Sequence, residues 1–138
     1  MLYAKEYGYN GRFESLVARV VADFVDHLDP SRERCWVADR NGEIVGSVFL
    51  VANSDTTAKL RLLYLEPSAR GLGLGRRLVD ECITFARSAG YRTITLYTQS
   101  SLTAARHIYE ATGFRLVGSE RHDTFGPVET AETWELTL

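Results

Sequence analysis

The sequence predicts an α/β chain of mixed α+β type, built on a sheet that is mostly antiparallel with one parallel strand pair. Three observations carry this. Between residues 35 and 66 three strand-like runs follow one another through short turns, which is not how a doubly wound nucleotide fold begins. The third run, with Leu60, Leu62, Leu63, Tyr64 and Leu65, stops at Glu66-Pro67 and passes through Arg70-Gly71-Leu72-Gly73-Leu74-Gly75 into an amphipathic helix. A further strand-like run after that helix is expected to lie parallel to the strand before it. At 138 residues the chain has the length of one ordinary domain, so residues 1–138 are expected to form a single one.

Taken in order, Phe13, Leu16, Val17, Val20, Val21, Phe24 and Val25 recur at i, i+3, i+4 spacing and describe a helix between Asn10 and Leu28. Asn10 caps its start and Asp29-Pro30 ends it. Cys35 to Asp39 reads as a strand, Asn41-Gly42 as a type I′ hairpin turn and Ile44 to Val51 as the partner strand. Gly46 within that partner marks a bulge or a close backbone approach. After Asn53-Ser54-Asp55 the chain returns antiparallel over Ala58 to Glu66. Leu74, Leu78, Val79, Cys82, Ile83, Phe85 and Ala86 then form a helical stripe that Gly90 closes. Thr93 to Thr98 is the strand expected to run parallel, and a second helix runs from about Thr103 to Gly113. Phe114 to Val117 and Thr133 to Leu138 read as the last strands, giving the order α-βββ-α-β-α-ββ.

Composition bounds the partners. With 45% hydrophobic and 25% charged residues, the chain has the balance of a soluble globular protein. No apolar run approaches the roughly 20 residues of a membrane span, so no membrane partner is expected. The start, Met1 to Glu6, lacks the apolar segment and cleavage site of a secretory signal, which places the chain in the cytoplasm. A net charge of -2 argues against general affinity for nucleic acid. Cys35 and Cys82 are too few for a disulfide framework or a zinc site, and His27, His107 and His122 do not stand at metal-ligand spacing. No metal is expected.

Three glycines in five positions let a backbone approach a ligand closely, and their amides join those of the helix's first turn in a nest for anions. Arg76 and Arg77 fall in that turn, where the helix dipole disfavours cations, and Arg70 stands just upstream. An oligophosphate would offset this charge; the plainer reading is a tight turn. A Walker loop would need Gly-Lys-Ser/Thr where Gly75-Arg76-Arg77 stands, and a dinucleotide fingerprint would need glycine at Arg76. What fits is Arg/Gln-x-x-Gly-x-Gly/Ala between a strand and a helix, met by Arg70, Gly73 and Gly75.

That pattern resembles the pyrophosphate loop of the GNAT superfamily of acyl-CoA-dependent N-acetyltransferases. Further on, Ile108-Tyr109-Glu110-Ala111-Thr112-Gly113-Phe114 resembles the Tyr-Glu-x-x-Gly-Phe signature of the same superfamily. The stretches Ala105 to Glu110 and Thr133 to Leu136 are similar to the acetyltransferase domain of bacterial MarR-GNAT fusion proteins. The resemblance implies a GNAT fold whose parallel pair is splayed, with helices on both faces. It also implies that the first strand is short or missing, because only Leu2 to Tyr9 precedes the first helix.

It further implies transfer of an acetyl group from acetyl-CoA, a co-substrate, to a primary amine of a small molecule or peptide; homodimers are common in the superfamily. By resemblance Tyr109 is the general acid, although by composition alone it reads as a half-buried helix aromatic. The backbone of Leu63, Tyr64 and Leu65 would pair with the pantetheine arm. Arg70, Gly71, Leu72, Gly73, Leu74, Gly75 and Arg76 would cradle the pyrophosphate, and Ser101 and Arg106 would add cofactor contacts. Tyr7, Tyr9, Phe13 and the loop from His122 to Pro127 would border the acceptor. Two departures stand out. Leu102 occupies the place of an asparagine that touches the cofactor in many relatives, with Ser101 or Gln99 as the substitute. Tyr97 stands where some relatives carry a glutamate base, leaving Glu33, Glu66, Glu129 or a water relay. The rival to an enzyme is an acyl-CoA-binding sensor or assembly module without turnover.

Overall fold

A computed structural model describes Asp26, residues 29–122 and residues 129–138. The helix expected between Asn10 and Leu28 and the short or missing strand at Leu2 to Tyr9 therefore fall, except for the helical Asp26, outside the described residues.

Strands β1 (Arg34–Arg40) and β2 (Glu43–Ala52) form a hairpin. Its two-residue loop, Asn41-Gly42, has φ of 54° and 88°, as a type I′ turn requires. Both expectations for Gly46 hold. The β1–β2 register slips between Ala38 and Asp39, and a Cβ at Gly46 would stand 3.0 Å from the Tyr64 carbonyl oxygen. Strand β3 (Thr57–Leu65) pairs antiparallel with β2, and helix α1 (Leu74–Ser88) follows it. Strand β4 (Thr93–Gln99) then pairs parallel with β3 over Thr57↔Thr93 to Lys59↔Thr95, and helix α2 (Thr103–Ala111) leads to the hairpin of β5 (Arg115–His122) and β6 (Glu129–Thr137).

The sheet order is β1-β2-β3-β4-β6-β5, so the final strand inserts beside β4 and leaves β5 outermost. Both strands of this hairpin are longer than the sequence predicts. The register continues from Arg115↔Glu135 to His122↔Glu129, and residues 115–121 of β5 are all exposed, so that strand carries no buried side to alternate.

One core forms under the described helices. Leu78, Val79, Cys82, Ile83 and Ala86 of α1 and Tyr109 of α2 meet Val48, Leu50, Ala58, Leu60, Ile94, Leu96, Trp134 and Leu136 of the sheet. Strand alternation sets the opposite face: Ser47, Phe49 and Tyr64 are buried outside that cluster. Both described helices thus lie on one face.

Candidate active site

The site is organised by a defect in β3. Ser47 pairs with Tyr64 but Phe49 pairs with Arg61, so β3 carries one extra residue, and Leu62 takes a left-handed φ of 54°. For a leucine that conformation costs about 1 kcal/mol. The consequence is geometric: the β3–β4 ladder ends at Lys59↔Thr95, while β3 runs on to Leu65 and β4 to Gln99. Two parallel strands start paired and then part. Leu63, Tyr64 and Leu65 line the β3 side of this divergence, with Tyr64 buried and Leu63 and Leu65 packed against the core.

Past Leu65 the chain makes one 3-10 turn (Pro67–Ala69), extends at Arg70 and reaches α1 through Gly73, the N-cap residue, at φ 77°. A residue with a Cβ is strained there, which is the first reason for glycine. A Cβ on Gly71 or Gly73 would meet nothing within 4 Å, so the space over the loop is open. The first helical bond runs from Arg77 N to Gly73 O at 3.1 Å, leaving the amides of Leu74, Gly75 and Arg76 without intrahelical acceptors. Among the described residues no side chain caps them, and no acidic residue sits in the first turn. Arg70, Arg76 and Arg77 are exposed around these donors, as is Leu72, while Leu74 is half-buried.

Gly75 has a different role from its neighbours. Its Cβ would lie 2.6 Å from Ile108 Cδ1 and 2.8 Å from Leu65 Cδ1, so this glycine brings α1 close to α2 and β3. The loop that offers amides to an anion and the helix that carries Tyr109 are joined at this contact.

Tyr109 is 4% exposed, its ring 5.8 Å from that of Phe114 and 6.4 Å from that of Trp134. The signature's other members explain its place. Gly113, at φ 100°, turns the chain back, and Phe114 N donates to Tyr109 O at 2.9 Å, which folds the phenylalanine onto the tyrosine. Burial, with the Cys82 thiol as a lesser cause, pushes the Tyr109 phenol up to about 12. It is a proton-holding group throughout the neutral range.

Arg106, one turn before Tyr109, is committed within the protein. Its Nε lies 2.9 Å from Glu132 Oε1, which also accepts from Trp134 Nε1 at 3.2 Å. Glu132 is 4% exposed, and this buried carboxylate ties α2 to β6 behind Tyr109. A last strand that begins at Thr133, as its sequence pattern predicts, leaves this residue out. The alternation Glu132, Trp134, Leu136, continued one step upstream, would have found it.

The remaining candidates separate. Leu102 is the N-cap residue of α2, 52% exposed, and supplies no side-chain hydrogen bond there. Ser101 is exposed beside it, and Gln99 accepts from Leu102 N through its carbonyl at 3.0 Å. Of the proposed bases, Glu33 accepts from Ala52 N at 2.9 Å and Asp29 N at 3.2 Å, and Glu66 takes the Ser68 hydroxyl and lies 4.0 Å from Arg40. Both are engaged in holding turns. The side chains of Glu129 and His122, together with Tyr7, Tyr9, Phe13 and residues 123–127, fall outside the described residues, and His107 is exposed. Among the described residues, no cluster of His, Cys, Asp or Glu is arranged to hold a metal, and no helix is long and apolar enough to cross a membrane.

A glycine turn feeding uncapped amides, a strand pair that parts beside it and a tyrosine one helix away thus stand together in one region of the fold. The chain belongs to the acetyltransferase (GNAT) family, whose model matches residues 3–114. It is 33% identical over 93 residues to N-acetylaspartate synthetase of Danio rerio, covering 67% of this chain and 33% of that protein. It is also 33% identical over 89 residues to mycothiol acetyltransferase of Beutenbergia cavernae, covering 63% and 29%. The chain thus spans about a third of the length of these relatives. In fold it is similar to yncA of Salmonella typhimurium, solved with its cofactor acetyl-CoA, at a TM-score of 0.75 and 21% identity over 88% of this chain and 72% of that one.

Proposed function

We propose that the protein is an N-acetyltransferase that moves the acetyl group of acetyl-CoA directly to a primary amine of a small molecule or peptide, within the EC 2.3.1 class. The observation that carries this is the uncapped N-terminus of α1, with three exposed arginines and no acidic residue in its first turn, set beside the opening between β3 and β4. This donor set fits a pyrophosphate: amides point at an anion and the arginines balance it. Arg70 to Arg76 are assigned to that cradle, the backbone of Leu63 to Leu65 to the pantetheine arm, and Ser101 to the contact that asparagine makes in relatives. Arg106 is assigned to holding α2 through Glu132, with only its remaining donors available to the cofactor.

Acetyl-CoA supplies a thioester carbonyl. The neutral amine attacks it, a C–N bond forms, the C–S bond breaks, the amine gives up a proton and the sulfur gains one. The phenol of Tyr109, near 12, holds its proton more firmly than a thiol at about 8.5. Tyr109 therefore donates a hydrogen bond to the departing sulfur, and the proton lost by the amine completes the balance. Replacing Tyr109 by Phe is expected to lower turnover roughly ten- to thousand-fold while acetyl-CoA binding, followed by titration calorimetry, persists. Turnover equal to wild type would remove Tyr109 from the mechanism.

The second reading, an acyl-CoA-binding module without turnover, draws on the deep burial of Tyr109 and the apolar Leu102. The names of the relatives point to different acceptors and to one chemistry, which supports the reaction class. A cytoplasmic location, a single domain, homodimerisation and a kinship to the MarR-type fusions through residues 105–110 and 133–136 are parts of this proposal.

A further inference from the structure

On the sheet face opposite the helical core, Lys59 and Arg61 stand two residues apart on β3, each half-buried, because their neighbours Ala58 and Leu60 face that core. The Lys59 ammonium lies 4.4 Å over the ring of Tyr97, which is 63% exposed on β4. Burial, and then the charge of Arg61, lowers the Lys59 pKa, so the two cations share one neighbourhood. Among the described residues, ion pairs join Arg40 to Glu66 and Arg106 to Glu132, and none of the described carboxylates stands at that distance from Lys59 or Arg61. Glu135 shares the face, but by register it is two strands over, roughly 10 Å away. Two half-buried like charges with no counter-ion among the described residues form a place that an anion would favour.

Their position says which anion. Lys59 is the last β3 residue paired with β4, and Arg61 directly precedes the bulge at which the strands have parted. Tyr97, exposed on the same face as Lys59, leaves this side of the opening within reach of a second substrate. We propose that Arg61 and Lys59 bind a carboxylate of the acceptor, so that the substrates are amines carrying a carboxylate, of amino-acid type, and not neutral amines or polyamines. A guanidinium fork beside an ammonium suits a planar carboxylate, whereas a polycation would meet repulsion. The inference rests on the acetyltransferase reading.

The test uses product mimics, which need no turnover. N-acetylglycine and N-acetylglycinamide are titrated into the protein with CoA present, and acetyl-CoA is titrated separately. The acid is expected to bind at least ten-fold more tightly than the amide, with the difference lost in Arg61→Gln and reduced in Lys59→Gln while acetyl-CoA affinity stays unchanged. Equal binding of acid and amide, binding of neither, or a preference that survives Arg61→Gln overturns the proposal. Failure of acetyl-CoA to bind at all overturns the acetyltransferase reading instead, and the carboxylate subsite with it.

Discussion

Tyr109 and Cys82 are neighbours in the core whose ionisable groups are both held in the neutral form by burial. The Cys82 thiol is raised well above its ordinary 9.0, and Tyr109 goes from 10.0 to about 12. A raised acid stays protonated when folded and ionises more readily when unfolded. Stability is therefore complete below pH 9, begins to fall as the unfolded thiol ionises, and falls further between pH 10 and 12 as the unfolded phenol follows. Each group contributes a slope of about 1.4 kcal/mol per pH unit in its window. Urea unfolding at pH 8 and pH 10 should show a shallower loss in Cys82→Ala than in wild type, although that variant starts less stable. Parallel losses would mean that Cys82 is not shielded as described. Neither shift could be read from the sequence, because both depend on what surrounds the group. Gly73 shows the converse: its motif position was legible, but its left-handed φ means that a bulkier residue strains the loop before any ligand is met.

Helix α2 begins poorly. Leu102 holds the N-cap place with φ -85° and ψ 67° and gives no oxygen to the first-turn amides; the first helical bond is Arg106 N to Leu102 O at 3.1 Å. Because Leu102 is exposed, replacing it loses little burial, and Leu102→Asn should stabilise the protein by about 1 kcal/mol, raising Tm by roughly 4 °C. An unchanged or lowered Tm in a natively folded variant would show that these amides already have partners. The elements with strong periodicity or clear punctuation were legible: the Asn41-Gly42 hairpin, α1 up to Gly90, and α2 ending at Gly113. The β5–β6 hairpin was under-read because its outer half is polar, and Glu132, the buried anchor of α2, was lost with it.

Across the whole molecule, the order β1-β2-β3-β4-β6-β5 brings together what the chain separates. The parting of β3 and β4 was expected from family resemblance, and its visible cause is the extra residue at Leu62, which no propensity marks. The insertion of β6 beside β4 places Trp134 and Glu132 behind Tyr109, a long-range pairing with no local signature. The proposed function requires the α1 N-terminus and the β3–β4 opening to hold acetyl-CoA for transfer to an amine. Titration calorimetry with acetyl-CoA, followed in the same samples by release of free thiol on addition of an amine panel, tests it most directly. Saturable one-to-one binding and amine-dependent thiol release are expected; binding without release by any amine would leave only a cofactor-binding module, and no binding would overturn the site itself.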